Sequence, residues 1–233
     1  MQAIIMAAGK GSRMQQLTQE NPKPLLKIGG ESIINRQVAL LYKYGIENIT
    51  VVLGYKKEMI KASLAQWKIN YIFNPFYSMT NVLGSFWFVL DKLCDDFIFM
   101  HGDTVFEEEI LKRLIRAPGD LVLAIDKKKC GEEEMKVKLC GEDVVEINKT
   151  MAPDSAAGEF IGLAKISQTL IPKVKFYTND FIGRGEFNLF FETIVQKMID
   201  HKDIAIKNVD ITGLKWNEID FQADLEKAKQ LFD

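Results

Sequence analysis

The chain has 233 residues, 47% hydrophobic, 27% charged and 10% aromatic, which is ordinary globular composition with enough apolar material for one sizeable core. Thirty Lys and Arg stand against 32 Asp and Glu, a formal charge of −2, so no long-range positive field favours general binding to nucleic acid or an anionic membrane. No stretch approaches the ~18 apolar residues of a membrane span, and the apolar run Ala3–Ala8 lacks the length and positive flank of a secretion signal.

Three cysteines at no metal-ligand spacing read as idle thiols of a reducing, cytoplasmic setting. Two histidines, His101 and His201, cannot build a His-rich metal site and give little support to Ser-His-Asp chemistry. Carboxylates, lysines, arginines and backbone must carry the function.

In chain order, Ala3–Ala7 reads as a buried strand running into a glycine-rich loop. A helix is predicted from Ser32, a natural N-cap, to Gly45, with Ile34, Val38 and Leu41 as its apolar stripe. A strand over 48–53, a helix over 58–66, a strand over 70–73 and a helix over 81–93 follow. A buried strand over 96–100 ends at His101-Gly102-Asp103, before a helix over 107–115 and a strand over 120–125. This alternation predicts an α/β fold with a doubly wound, mostly parallel sheet. After Asp126 the style changes. An antiparallel hairpin is expected over 135–139 and 144–147, then a strand over 160–166, a helix over 189–199, a strand over 204–210 and a closing helix over 221–232. With no repeat and no linker, the whole span 1–233 reads as one domain, an α/β half to residue 126 and a more mixed half from 127.

The strongest signal is the loop Ala7-Ala8-Gly9-Lys10-Gly11-Ser12-Arg13-Met14. A glycine-rich turn after the first strand of an open α/β sheet is where phosphates bind, because glycines admit an anion close to backbone N–H groups. The loop is not a Walker A motif, since Ile4 stands where its first glycine belongs, and Met14 takes the place of the third small residue of a dinucleotide fingerprint. Between Gly9 and Lys27 there are four cations (Lys10, Arg13, Lys23, Lys27) and one anion, Glu20, a local excess of three positive charges in an acidic protein. Prolines on both sides of Lys23 restrict its backbone. On composition alone a flexible basic surface loop is an equal reading.

The run Met6-Ala-Ala-Gly-Lys-Gly-Ser-Arg-Met14, then Pro22-Lys-Pro-Leu-Leu26 and Ile28-Gly-Gly30, closely resembles the signature of sugar-phosphate nucleotidyltransferases. Later landmarks extend the resemblance over nearly the whole chain: Gly102-Asp103, Lys149, Glu159-Phe-Ile-Gly162 and Glu218-Ile-Asp220. The resemblance implies a Rossmann-like nucleotidyltransferase fold and an enzyme that joins a nucleoside triphosphate to a phosphorylated small molecule, releasing pyrophosphate. It assigns Asp103 and Asp220 to Mg²⁺, with Glu218 a weaker ligand candidate. Taken alone, Asp103 also reads as a turn residue and Asp220 as an N-cap. By the same resemblance Ala7, Ala8 and the backbone of Gly9, Lys10, Gly11 and Ser12, with Arg13, hold the nucleotide phosphates. Lys23 meets charge developing at the α-phosphate, and Lys149 grips the phosphate or phosphonate of the second substrate.

Asn74-Pro-Phe-Tyr-Ser-Met-Thr-Asn81-Val-Leu-Gly-Ser85 and Trp216-Asn-Glu-Ile-Asp220 are more similar to the bacterial phosphocholine and 2-aminoethylphosphonate cytidylyltransferase branch. That branch implies CTP and an acceptor with a cationic amine head, and makes Asn81 and Ser85 candidates for the base or ribose end. Glu159, Glu192 and Trp216, in an aromatic and acidic stretch, are the expected acceptor-binding residues, since aromatic faces and carboxylates enclose ammonium groups. A hexose-1-phosphate uridylyl- or thymidylyltransferase, or a nucleotide-sensing domain of the same fold, are the other readings.

Overall fold

A computed structural model describes residues 1–202 and 204–232, with side chains outside 15–17. The first half holds β1 (Gln2–Ala7), α1 (Gln15–Glu20), β2 (Lys27–Ile28), β3 (Glu31–Ser32), α2 (Ile33–Lys43), β4 (Asn48–Leu53), α3 (Lys57–Ser63), β5 (Ile69–Phe73), α4 (Val82–Trp87), β6 (Phe97–His101), β7 (Thr104–Phe106), α5 (Glu108–Arg116) and β8 (Leu121–Asp126). The second holds β9 (Lys136–Cys140), β10 (Asp143–Asn148), β11 (Gly158–Ile166), α6 (Ile171–Gly183), α7 (Glu192–Asp200), β12 (Lys207–Asp210), β13 (Trp216–Glu218) and α8 (Gln222–Phe232). None of these helices is long and apolar enough to cross a membrane.

Nine strands form one mixed sheet in the order β5-β4-β1-β6-β11-β8-β12-β10-β9. The β5-β4-β1-β6 block is parallel, as is the β8–β12 pair, and β11 enters antiparallel between β6 and β8. β1 is buried along its whole length because helices cover both faces. Its alternate residues feed two cores: Ile4 and Met6 meet Leu83, Phe86 and Phe99, while Ala3, Ile5 and Ala7 meet Val38 and Leu41. A third cluster joins Met14, Ile28, Ile33, Val105, Ile219 and Leu225, so the glycine-rich loop, the β7–β13 pair and α8 share one apolar patch. Met6 pairs with Val52 and with His101, so β1, β4 and β6 end level and open a crevice at their carboxyl edges.

Ser32 caps α2 by accepting from the Asn35 N–H, and Gly45 ends that helix at φ 74°. Elsewhere tertiary contacts shift the expected elements. The helix expected over 81–93 stops at Trp87 and tightens into i→i+3 bonds, Val89 to Phe86 and Lys92 to Val89. The helix expected from Leu189 starts at Glu192, because the Leu189 carbonyl accepts from Leu83. α6 is absent from the sequence reading. It begins at Ile171 with Pro172 in its first turn, where a missing N–H costs nothing.

β11 carries a register shift against β8 between Phe160 and Ala164. Gly162 lies inside it at φ +77°, and a Cβ there would stand 2.5 Å from His101 Nδ1. Gly162→Ala should therefore destabilise the fold by about 1–3 kcal/mol, the cost of a strained position, read as a lower Tm. Gly183→Ala, with open space around it and no positive φ, should leave Tm unchanged or raised. A Gly162→Ala protein as stable as its parent would show that β11 is not held against His101.

Candidate active site

The loop after β1 is shaped by backbone contacts before any ligand is considered. The Ala8 carbonyl accepts from Tyr55, and Met14 N–H donates to Gly11, closing a turn over Ser12–Met14. Gly11 has φ +65°, and a Cβ there would lie 2.8 Å from Cγ of Lys23. That glycine lets the loop lie on the lysine stem. Lys23, 8% exposed, starts a short turn between Pro22 and Pro24.

Two carboxylates converge on its ammonium. Asp103 sits in the turn between β6 and β7, where Gly102 is pressed to within 2.8 Å of the Met6 carbonyl at the virtual Cβ. Antiparallel pairing of β7 with β13, and the Ile219 N–H to Asp103 carbonyl bond of 3.1 Å, bring Asp220 beside it. Lys23 Nζ lies 2.5 Å from Asp220 Oδ1 and 3.4 Å from Asp103 Oδ2. Arg13 Nη1 reaches the other Asp220 oxygen at 3.1 Å and its Nη2 meets Glu133 at 3.3 Å. Asp220 does not cap α8. Asp224 does that, accepting from the Asp220 and Phe221 N–H groups. Burial pushes the Lys23 ammonium down, but Asp103 and Asp220 outweigh it and hold it above its ordinary value. Burial raises the Asp103 carboxyl despite Lys23; at Asp220 burial is outweighed by Lys23 and Arg13, and its pKa falls.

Beneath this pair lies a cluster in which Glu192 and Glu218, both candidates from the sequence, meet His101, whose part the sequence reading missed. His101 closes β6 with Nδ1 3.6 Å from Glu218 Oε1 and Nε2 3.8 Å from Glu192 Oε1. Phe191 stacks on Phe99 with ring centroids 3.9 Å apart, pinning the start of α7 and hence Glu192 to the sheet. Burial opposes protonation of His101, yet Glu218, Glu192 and Asp103 raise its pKa to about 9. Burial raises the Glu192 carboxyl, while His101 overcomes burial to lower Glu218. Ligand atoms of His101, Asp103 and Glu218 lie within 4.8 Å of one another, a grouping able to hold a metal ion.

These groups line a cavity of about 300 Å³. Of the residues expected from sequence, Ala7, Ala8, Gly9, Gly11, Arg13, Lys23, Asn81, Ser85, Asp103, Lys149, Glu192 and Asp220 form its wall; Lys10 and Ser12 lie outside it. Asn81 and Ser85 also have structural work: Asn81 caps α4 through the Val82 N–H, and Ser85 accepts from the fully buried Asn74. Lys149 Nζ stands 4.9 Å over the Phe190 ring, its main chain held by Lys136. Lys136 is completely buried and donates to the carbonyls of Glu132, Glu134 and Lys149. In the alternation Lys136-Val137-Lys138-Leu139 both lysines read as a solvent face, so the sequence carried no signal for it.

Glu159 and Trp216 depart from expectation. They line a second cavity of about 500 Å³ that shares Glu218 and Asp220 with the first. The reason is an internal cation: Lys128 Nζ lies 2.7 Å from Glu159 Oε2 and 5.2 Å from the Trp216 ring, whose indole N–H donates to Asp126. Burial and the neighbouring carboxylates outweigh Lys128 and push Glu159 up to about 7. Of the rings in the expected stretch, Tyr177, Phe181 and Phe191 are core residues, while Phe160 and Phe190 line the first cavity, where Tyr77 from the other half joins them.

Comparison with known proteins agrees with this architecture. The fold matches that of CTP:phosphocholine cytidylyltransferase from Streptococcus pneumoniae with a TM-score of 0.82, at 22% identity over 100% of this chain and 99% of that one. The sequence is 31% identical to a CTP:phosphoglutamine cytidylyltransferase of Campylobacter jejuni over 97% of this chain and 98% of the relative. It is 25% identical to CMP-5'-(3-aminopropyl)phosphonate synthase of Streptomyces rubellomurinus, over 98% of this chain but 38% of that longer protein. Residues 3–160 match the MobA-like NTP transferase domain, and with a full-length relative above 30% identity the chain belongs to that nucleotidyltransferase family.

Proposed function

We propose that the protein is a Mg²⁺-dependent cytidylyltransferase that transfers CMP from CTP to a small amine-bearing phosphate or phosphonate, of the phosphocholine or 2-aminoethylphosphonate kind, with release of pyrophosphate. The observation that carries this reading is the Lys23 ammonium held between Asp103 and Asp220 under a glycine loop at the carboxyl edge of β1 and β6. The three relatives are each named for CTP or CMP and for a phosphorylated or phosphonate partner.

The donor set fits magnesium. Asp103, Asp220 and Glu218 offer hard carboxylate oxygens at one wall of the cavity, which suits a cation that takes one or two carboxylates plus phosphate oxygens. When bound, Mg²⁺ screens the negative charge that repels an anionic nucleophile. The chain's own residues do the rest. Gly9 and Gly11 let the loop backbone approach the β- and γ-phosphates, and Arg13 adds a fixed positive charge. Lys23 meets charge that grows at the α-phosphate. Lys149 orients the acceptor phosphate from above Phe190. The acceptor is already ionised at neutral pH, so no general base is needed and rate comes from positioning and electrostatics.

Pyrophosphate release should require Mg²⁺ and favour CTP over UTP, ATP and GTP. Full activity in excess EDTA would remove the metal from the mechanism, and a preference for UTP or dTTP would move the protein to the sugar branch. Lys23→Ala should lower kcat by roughly 10²–10³, the scale for one preorganised charge donor, with a smaller change in KM for CTP. Asp220→Asn should lower Tm only a little, because Asp224 caps α8 and Asp103 stays beside Lys23, and should regain part of its activity as Mg²⁺ is raised. An unfolded Asp220→Asn protein, or one with a parental Mg²⁺ dependence, would make Asp220 structural.

A further inference from the structure

Glu192 is 2% exposed, opens α7 and lines the first cavity. Neither of its carboxylate oxygens accepts a hydrogen bond from another described residue, and His101 Nε2 beside it is likewise unpaired. Buried polar atoms are nearly always paired, so a carboxylate whose partners are its own backbone N–H and an imidazole 3.8 Å away marks a place on the cavity wall where a ligand donor belongs. Lys149, close enough for its charge to act on Glu192, lines the same cavity. An acceptor whose phosphate lies on Lys149 would therefore present its other end to Glu192.

Two kinds of cationic head differ in what they offer. A primary ammonium donates three N–H bonds and satisfies carboxylate oxygens directly. A quaternary ammonium donates none and is held by aromatic faces. Of the rings that line the first cavity, Phe190 lies under the Lys149 ammonium and Phe160 is 3% exposed, which leaves Tyr77 as one open face where a quaternary head is held by several.

We infer that Glu192 makes this site selective for acceptors carrying a primary ammonium over those carrying a quaternary one. The inference rests on the cytidylyltransferase reading above and narrows it.

The test is an N-methylation series. Pyrophosphate release from CTP and Mg²⁺ is measured with phosphoethanolamine and 2-aminoethylphosphonate, and with their mono-, di- and trimethylated forms. The expected result is a fall in kcat/KM with each methyl, at least about tenfold in all, since a site built for N–H donors rejects analogues that lack them. Glu192→Gln, confirmed folded by its Tm, should lower kcat/KM for the primary amines more than for the trimethyl forms, which shrinks the ratio. Equal or better use of the trimethyl forms by the parent protein overturns the inference and leaves the cytidylyltransferase reading standing. A ratio unchanged by Glu192→Gln also overturns it. No pyrophosphate from CTP with any member of the series overturns the underlying reading, and the inference with it.

Discussion

Two half-buried carboxylates brought close together are costly to keep ionised without a cation, and this end of the protein is organised around that requirement. Asp103 and Asp220 come from elements 117 residues apart in the chain, and Lys23 from a third. The Lys23 ammonium joins them, and Gly11 and Arg13 bring the glycine loop onto the same centre. The β7–β13 ladder and the third apolar cluster supply the framework that keeps the three in register. A glycine loop that sequence alone could leave as a mobile surface segment is in this way tied to the sheet by charge and by packing. The same cations that neutralise the protein's own carboxylates are the ones a triphosphate would draw away.

The wall beneath works by a different logic. At the Lys23 centre, charges of opposite sign meet in hydrogen bonds; at Glu192 a buried acid faces His101 at 3.8 Å and feels the charge of Lys149, with no hydrogen bond from either. Stacked rings and the glycine at 162 fix that histidine and that acid in place. The packed apolar core on one side and the open cavity on the other leave the carboxylate a single direction in which to find a donor.

Much of this was legible in the sequence where contiguous residues carry the signal. The strand at 48–53, the Ser32 cap and the switch in style after Asp126 depend on local pattern, and the structure keeps them. The glycine loop, Lys23, Asp103 and Asp220 were visible as spaced motifs, and they share one cavity. Glu192 and Glu218 were read as candidates, but their convergence on His101 was not visible, because it joins residues 91 and 117 positions apart and depends on a glycine whose role is to be small. Trp216 misled for the complementary reason. An aromatic residue in an acidic stretch reads as a ligand cage, but Lys128 and Asp126, at and just beyond the end of β8, already occupy its ring and its N–H. Helix limits at 87 and 192 were set by cross-segment backbone bonds that periodicity does not record.

The pairing of β9 has a consequence for how the molecule behaves in company. β9 bonds to β10 on one side and to β11 on the other, so the β11-β8-β12-β10-β9 run returns on itself and leaves no free strand there. Among the described residues β5 remains as the open border of the sheet, and open borders are templates for unwanted strand addition. Two lysines of α3 guard it: Lys57 stands 3.6 Å over the Phe73 ring and Lys61 6.0 Å over Tyr71. A second copy approaching that border would have to displace or bury two ammonium groups, a standing penalty against aggregation.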